Sequence, residues 1–433
     1  MGITKTIAVA LLASLALSAF AQTRPSHKSH QQTSADDNRA ADALKDAESL
    51  LQKQQYSQAE EKLQIIVTQQ SENPQAWFDL GFAQSHQGKT ADAIAAYKKA
   101  VALDPKWFEA QQNLGLALAK SGDLTAAASA LKTAVTLTPT TGGQQALAAA
   151  WFSLAQVTEE SAPQNALAAY QKAAELDPTN SEAQLGVAHM TERSGNSAAA
   201  EQQYLKLAEA GNNDSIERLI GLYLKQKRFS DAETWLHKYI SANPQNTAAQ
   251  LQLGKLLAAE GKTQEAITTL EPLYKTSPDP ELARDLATLY LETKQYPAAA
   301  DLLRPLIAQN STDAQLHLDY GTALMHQLKY PEAQTVLLKA VQLNPNLVQA
   351  YSDLAYAAEQ NKNYELTIRA LDARAKLQPE TPATYFLRAT AYDNLRMYKP
   401  AAANYKLFLG VAAGKFPDQE FQARHRLKAI LPN

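Results

Sequence analysis

One spacing governs the chain. Pro105 and Pro139 are 34 residues apart, as are Pro244 and Pro278, and Pro345 and Pro379. Tyr296, Tyr330, Tyr364 and Tyr398 keep the same step. A fixed period of this size marks one small structural unit used many times. Such a unit cannot bury its apolar faces alone, so neighbours must stack and share a continuous core. The chain is therefore expected to be an array and not a set of closed domains.

Aligning the units shows what repeats. In "AWFDLGFAQSHQGKTADAIAAYKKAVALDP" (76–105) the marks are Trp77, Leu80, Gly81, Gly88, Ala93, Tyr97, Ala100 and Pro105. The next unit supplies Leu114, Gly115, Gly122, Ala127, Leu131, Ala134 and Pro139. Later ones supply Leu253, Gly254, Gly261, Ala266 and Pro278, then Tyr320, Gly321, Tyr330, Ala333, Ala340 and Pro345. Each unit contains two apolar-periodic helical stretches joined by a short polar turn. Long alternating or β-branched runs are missing, so an all-α fold is predicted. Glycine at the eighth position (Gly81, Gly115, Gly254, Gly321) lets the paired helices approach closely. Alanine at the twentieth (Ala93, Ala127, Ala266, Ala333) belongs to the same contact. The closing proline cannot continue a helix and disfavours helix at the residue before it.

In spacing and residue type these units resemble the tetratricopeptide repeat, over about residues 40–413 and about eleven units. The resemblance implies an α-solenoid, a right-handed superhelix of helix-turn-helix units whose first helices line a concave, partner-binding face. Two irregularities are expected to break the superhelical pitch. Near 140–146 the step from Pro139 to Pro178 lengthens to 39 residues, with Gly142-Gly143 marking a loop. Near 209–214 a short unit ends in "AGNNDS" without proline.

The ends do not repeat. "MGITKTIAVALLASLALSAFAQ" has a positive start at Lys5, an apolar stretch from Ile7 to Phe20 and a small-residue site at Ala19-Phe20-Ala21. This reads as a signal peptide over 1–21, cleaved after Ala21, too short for a convincing membrane span. The mature protein is thus expected to be periplasmic or secreted. Residues 22–39 are polar and read as a flexible leader. Its His27 and His30 could share a metal, but solvated side chains are the simpler reading. Residues 414–433 read as a capping helix with Asp418 at its start and Phe421, Leu427, Ile430 and Leu431 covering the last hairpin. Arg424, Arg426 and Lys428 form either a basic patch or a solvated outer face.

Chemistry finds little footing. "GFAQSHQGKT" (81–90) and "GKLLAAEGKT" (254–263) end in the Gly-Lys-Thr of a phosphate loop. Six residues separate the first glycine from Gly-Lys where a Walker loop needs four, and a helix, not a strand, precedes it. Asp92 and Glu265 stand in the following first turn, where they oppose phosphate. Recurrence at one phase of the array makes these stretches turns. The chain has no cysteine, which removes disulfides, thiol nucleophiles and Cys-based metal sites. His86, His189, His237, His317, His326 and His425 are scattered, and no His-Glu-x-x-His or Gly-x-Ser-x-Gly pattern occurs. Asp79, Asp285, Asp319 and Asp353 share the sixth position, which suits a structural role better than catalysis. No enzyme activity, cofactor or metal is expected. A formal net charge of −3 gives no general drive towards nucleic acid.

The resemblance also places candidate binding residues. Phe78, Phe82, Tyr356 and Phe386, at positions five and nine, would turn to the concave face, where they either contact a partner or pack between repeats. His86, Lys120, Arg193 and Lys225 would lie beside them at the thirteenth position, although Glu160 and Glu292 interrupt that stripe. Eleven of the 18 tyrosines lie between 290 and 405, and most of them occupy positions that pack internally. Chaperone-binding relatives clamp a carboxylate with Lys and Asn, but Phe78 and Phe82 stand at the corresponding places here. The expected function is a non-catalytic exported scaffold that binds a protein or an extended peptide. The alternative is an assembly factor of an envelope secretion, pilus or exopolysaccharide machine.

Overall fold

The computed structural model describes residues 35–430. The expected signal peptide, the leader up to residue 34 and Leu431 lie outside the described residues. Among those described there are twenty-three helices and no strand, an α-solenoid of paired helices. The chain divides into two compact units, with the boundary between Arg228 and Phe229.

In the first unit the pairs are α1 (Ala35–Gln52) with α2 (Tyr56–Gln69), α3 (Pro74–His86) with α4 (Thr90–Leu103), and α5 (Phe108–Ser121) with α6 (Leu124–Ala134). They continue as α7 (Gly143–Thr158) with α8 (Pro163–Leu176) and α9 (Ser181–Arg193) with α10 (Ser197–Glu209), followed by α11 (Asn213–Lys225). The second unit opens on α12 (Phe229–Ala242), then pairs α13 (Thr247–Ala259) with α14 (Thr263–Thr276) and α15 (Pro280–Glu292) with α16 (Tyr296–Gln309). It goes on through α17 (Ala314–His326) with α18 (Tyr330–Leu343) and α19 (Val348–Gln360) with α20 (Tyr364–Ala375). The pair α21 (Pro382–Asn394) and α22 (Tyr398–Ala412), then the single α23 (Pro417–Ile430), complete it.

Local chemistry sets the ends of these helices. Asn73, Asn180, Asn212 and Asn246 accept a hydrogen bond from the backbone N–H three residues on, satisfying amides that the first turn leaves free. Asp279 and Asp313 do the same for α15 and α17. In most pairs the turn closes from the residue after a left-handed position back to a carbonyl five residues earlier; between α7 and α8 it closes instead from Ala162 to Thr158. Lys89 N–H reaches Gln84 O at 3.0 Å, and Lys262 N–H reaches Leu257 O at 2.9 Å. Gly88 and Gly261 supply the left-handed residue (φ 76° and 75°), a conformation open to glycine without steric penalty.

Helix pairing rests on the eighth position, but its partner is the twenty-fourth position more than the twentieth. A Cβ on Gly81 would stand 2.8 Å from the Tyr97 ring, and one on Gly254 would stand 2.2 Å from Leu270. Gly115 and Gly321 receive Leu131 and Leu337 in the same way. Ala93, Ala127, Ala266 and Ala333 are fully buried beside these contacts.

The expected long loop is present between α6 and α7, with Gly142 left-handed. Glu109 holds it: its Oε1 accepts from Thr140 N–H at 2.8 Å, Thr140 Oγ1 at 2.7 Å and Thr141 N–H at 3.0 Å. The capping helix forms, with two corrections. Pro417 takes the first helical position, so Asp418 sits inside the first turn and is not the cap. Phe421 points outward at 72% exposure and Phe416 takes its place, while Leu427 and Ile430 cover the last hairpin as expected.

Candidate functional site

The residues expected on the first-helix face separate by burial. Phe78 and Phe82 are core residues, at 9% and 8% exposure, which is the packing between repeats that the sequence left open beside partner contact. Phe78 lies 4.5 Å from Trp107 and 5.7 Å from Tyr97, ring centre to ring centre. Trp107 comes from the chain entering the next pair, so stacking covers the ring. Phe386 is half-buried against Phe408 at 5.1 Å and belongs to the last apolar cluster. Tyr356 is different: it is 45% exposed and, among the described residues, its ring meets Tyr330 edge-on at 6.3 Å.

The thirteenth position remains at the surface. His86 is exposed, stacked on Tyr56 at 4.7 Å, with Nδ1 3.0 Å from the Phe82 carbonyl oxygen. Lys120 and Lys225 are exposed, and among the described residues no carboxylate is paired with either. Arg193 donates to Glu160 at 2.9 Å, so the residue that interrupts the stripe also neutralises part of it. Nearby His189 is pushed down to about 4 by burial first, then by Arg218 and Arg193, so it is neutral at physiological pH.

The lysines of the two Gly-Lys-Thr turns have a partner in the preceding repeat. Lys89 Nζ donates to Glu60 Oε2 at 2.6 Å, and Lys262 Nζ to Glu233 Oε2 at 2.5 Å. Arg228 holds Glu201 at 2.7 Å in the matching register. Glu60 also accepts from Gln84 and Gln87, and although burial opposes it, these bonds together with Lys89 hold its carboxyl below the usual range. The lysine that suggested a phosphate site is a staple between repeats.

A second recurring arrangement was legible only in part. Gln75 donates to Asp79 at 3.0 Å, Gln315 to Asp319 at 2.8 Å and Gln349 to Asp353 at 2.7 Å, each one helical turn apart. Asp353 also accepts from Thr322 of the preceding first helix at 2.8 Å. Lys255 similarly reaches Glu281 at 2.7 Å and Asp285 at 3.6 Å on the next first helix. At Asp285 and Asp353 the sixth position thus carries a cross-repeat polar rung, while Asp79 and Asp319 are held within their own helix. Burial raises the Asp319 and Asp353 carboxyls above their ordinary range. Among the described residues, no group of three or more His, Asp or Glu side chains is placed to hold a metal ion. No described helix is long and apolar enough to cross a membrane.

Two family models, both described as tetratricopeptide repeat, match the chain, one over 44–107, 86–142, 161–215 and 318–382 and the other over 223–290 and 257–318. The chain belongs to the tetratricopeptide repeat family, whose members are generally non-catalytic. No curated protein matches it. Among solved structures, it is similar to MamA MSR-1 C2 at 22% identity, covering 38% of this chain and 95% of that one, with a TM-score of 0.35. MamA from Desulfovibrio magneticus RS-1 matches at 20% identity over 40% of this chain and 94% of its own, TM-score 0.35. Naa15/Naa10 bound to HypK matches at 13% identity over 90% of this chain and 78% of that chain, TM-score 0.38.

Proposed function

We propose that the protein is an exported, non-catalytic scaffold that takes a partner protein or an extended peptide along its first helices. Tetratricopeptide arrays serve protein interaction, and pre-ordered helices offer a long surface with little ordering on binding. Tyr356 carries the reading: a large aromatic side chain stands 45% exposed on a first helix between polar rungs. Half-exposed tyrosines of this kind anchor interfaces. Asp319 and the pair Lys255–Glu281 add polar contacts on the same set of helices. Export rests on the Lys5, Ile7–Phe20 and Ala19–Ala21 pattern, and amino-terminal sequencing of the protein from a periplasmic fraction should begin at Gln22.

Cross-linking capture from envelope extract tests the face. A partner held by the parent chain should be lost, or weakened at least about tenfold, by Tyr356→Ala. Capture that Tyr356→Ala leaves unchanged would move the site elsewhere. The alternative, an assembly factor for an envelope machine, is favoured by Leu407 and Val411. These stand exposed one turn apart on the second helix α22. If they are the contact, Leu407→Ser with Val411→Ser would abolish co-purification while Tyr356→Ala would not.

A further inference from the structure

Four consecutive turns in the second unit share a composition that the fold does not require. They read Thr293-Lys294-Gln295-Tyr296, Gln327-Leu328-Lys329-Tyr330, Asn361-Lys362-Asn363-Tyr364 and Leu395-Arg396-Met397-Tyr398. Each holds one cation and no carboxylate. The matching turns of the first unit include Gly88-Lys89, Gly122-Asp123 and Gly195-Asn196, and there Lys89 is engaged by Glu60. Lys294, Lys329, Lys362 and Arg396 are all exposed, and no carboxylate pairs with them among the described residues.

The turns are physical neighbours. Gln327 donates to the Tyr296 carbonyl at 3.1 Å, and Tyr296 stacks on His326 at 4.3 Å. Tyr330 meets Tyr356, and Asn361 donates to Gln334 at 3.1 Å. Glu365 and Arg369 of α20 share a surface groove with Leu395 and Met397. The cations therefore form one row along an edge. With Lys399 the edge holds five cations; of the five carboxylates within two residues of the turns, Glu359 accepts from Thr390 and Asp393 is held by Arg426, which leaves Glu292, Glu332 and Glu365 exposed at the flanks.

Apolar side chains protrude from the same row. Leu328 is 69% exposed, and Met397 and Tyr398 are 48% and 45% exposed. Leu328 also sits at φ 62°, where Gly261 serves the equivalent turn, so a branched side chain is kept in a disfavoured conformation without burial in return.

Cations alternating with single protruding apolar groups fit an anionic lipid surface, which attracts Lys and Arg and lets apolar tips enter the headgroup layer. A protein partner would need a contiguous apolar centre with a polar rim, which separate turn tips do not supply. We propose that this turn edge docks reversibly on an anionic membrane surface, with Lys294, Lys329, Lys362 and Arg396 at the headgroups and Leu328 and Met397 inserted.

Vesicle flotation tests it with the chain from Gln22, which keeps every described helix. Phosphatidylcholine vesicles containing phosphatidylglycerol should carry the protein, pure phosphatidylcholine vesicles should not, and added salt should release it. The combined variant K294Q/K329Q/K362Q/R396Q should bind at least about tenfold more weakly, while K98Q/K99Q on α4 should bind as the parent does. L328G should also bind less while melting no lower than the parent, which separates lost insertion from lost folding. No flotation of the parent chain, equal binding to neutral vesicles, or full binding by the fourfold variant would overturn the proposal. So would soluble polyglutamate that competes with the vesicles and binds as tightly, which would assign the edge to an acidic macromolecule.

Discussion

Asp79 accepts one hydrogen bond from Gln75, leaves Oδ2 without a partner and is 1% exposed. Burial pushes its carboxyl up to about 8, opposed by the Gln75 bond and helped by nearby Glu48. An unfolded aspartate titrates near ~3.9, so the folded state binds the proton more tightly than the unfolded one. The stability this contributes is fully present below that value and is lost as pH rises through about 8. Asp79→Asn keeps the acceptor for Gln75 and removes the charge. Its melting temperature should vary less between acid and mildly alkaline pH, and above pH ~8 it should exceed the parent's stability by about 1–3 kcal/mol. A calorimetric pH series showing equal slopes for the two proteins would refute the buried-acid account. Leu328→Gly acts on backbone strain instead: relief of a left-handed leucine should stabilise by about 0.5–1 kcal/mol, read as a higher urea midpoint. The sixth-position aspartates were legible as structural from their shared phase. The burial of Asp79 was not, because Glu48 and Tyr97 reach it from helices outside its own.

At the scale of helices and turns, the repeat phase located nearly every pair, since Gly81, Ala93 and Pro105 recur with their spacing intact. What the phase could not reveal is which side chains meet between repeats. Glu60 lies 29 residues before Lys89, and only stacking of α2 on α3 and its turn brings the two to 2.6 Å. Phe78 and Phe82 occupy positions that face outward in a lone hairpin, yet Trp107 and Tyr56 of neighbouring segments close over them. A double-mutant cycle with Glu60→Gln and Lys89→Met should give a coupling of about 0.2–1 kcal/mol that shrinks with salt. The stapling contribution should also fall away below pH ~4, because a lowered carboxyl pKa supports the fold only while the group is ionised. If the coupling is zero at low salt, the recurring register of Glu60–Lys89, Glu201–Arg228 and Glu233–Lys262 is geometry without energy. Ala93→Leu tests the hairpin interior: its site is fully buried, so overpacking should destabilise by about 1–3 kcal/mol, measured by urea unfolding.

At the scale of the array, the decisive property is that within each compact unit a helix packs on its sequence neighbours and on little else. Stability in such an array is close to a sum of repeat terms and nearest-neighbour terms, so a local defect should open a local stretch. Gly254 offers a clean defect. A Cβ there would stand 2.2 Å from Leu270 Cδ2, closer than van der Waals contact allows, so α13 and α14 must separate or Leu270 must change rotamer. Gly254→Ala should therefore destabilise its pair by about 1–3 kcal/mol. Hydrogen exchange resolves where that loss falls. Amides of α13 and α14, and more weakly those of α15, should exchange faster in the variant, while α3 and α4 in the first unit should exchange as in the parent chain. Equal acceleration along the entire chain would mean that the array opens as one cooperative body. In that case the proposed partner-binding helices and the charged turn edge would respond to a defect anywhere along the chain. With local opening, a partner held along α17 and α19 would instead protect those helices and their neighbours, leaving the first unit unchanged. The exchange map of Gly254→Ala therefore also fixes how far from its contact a bound partner can be sensed.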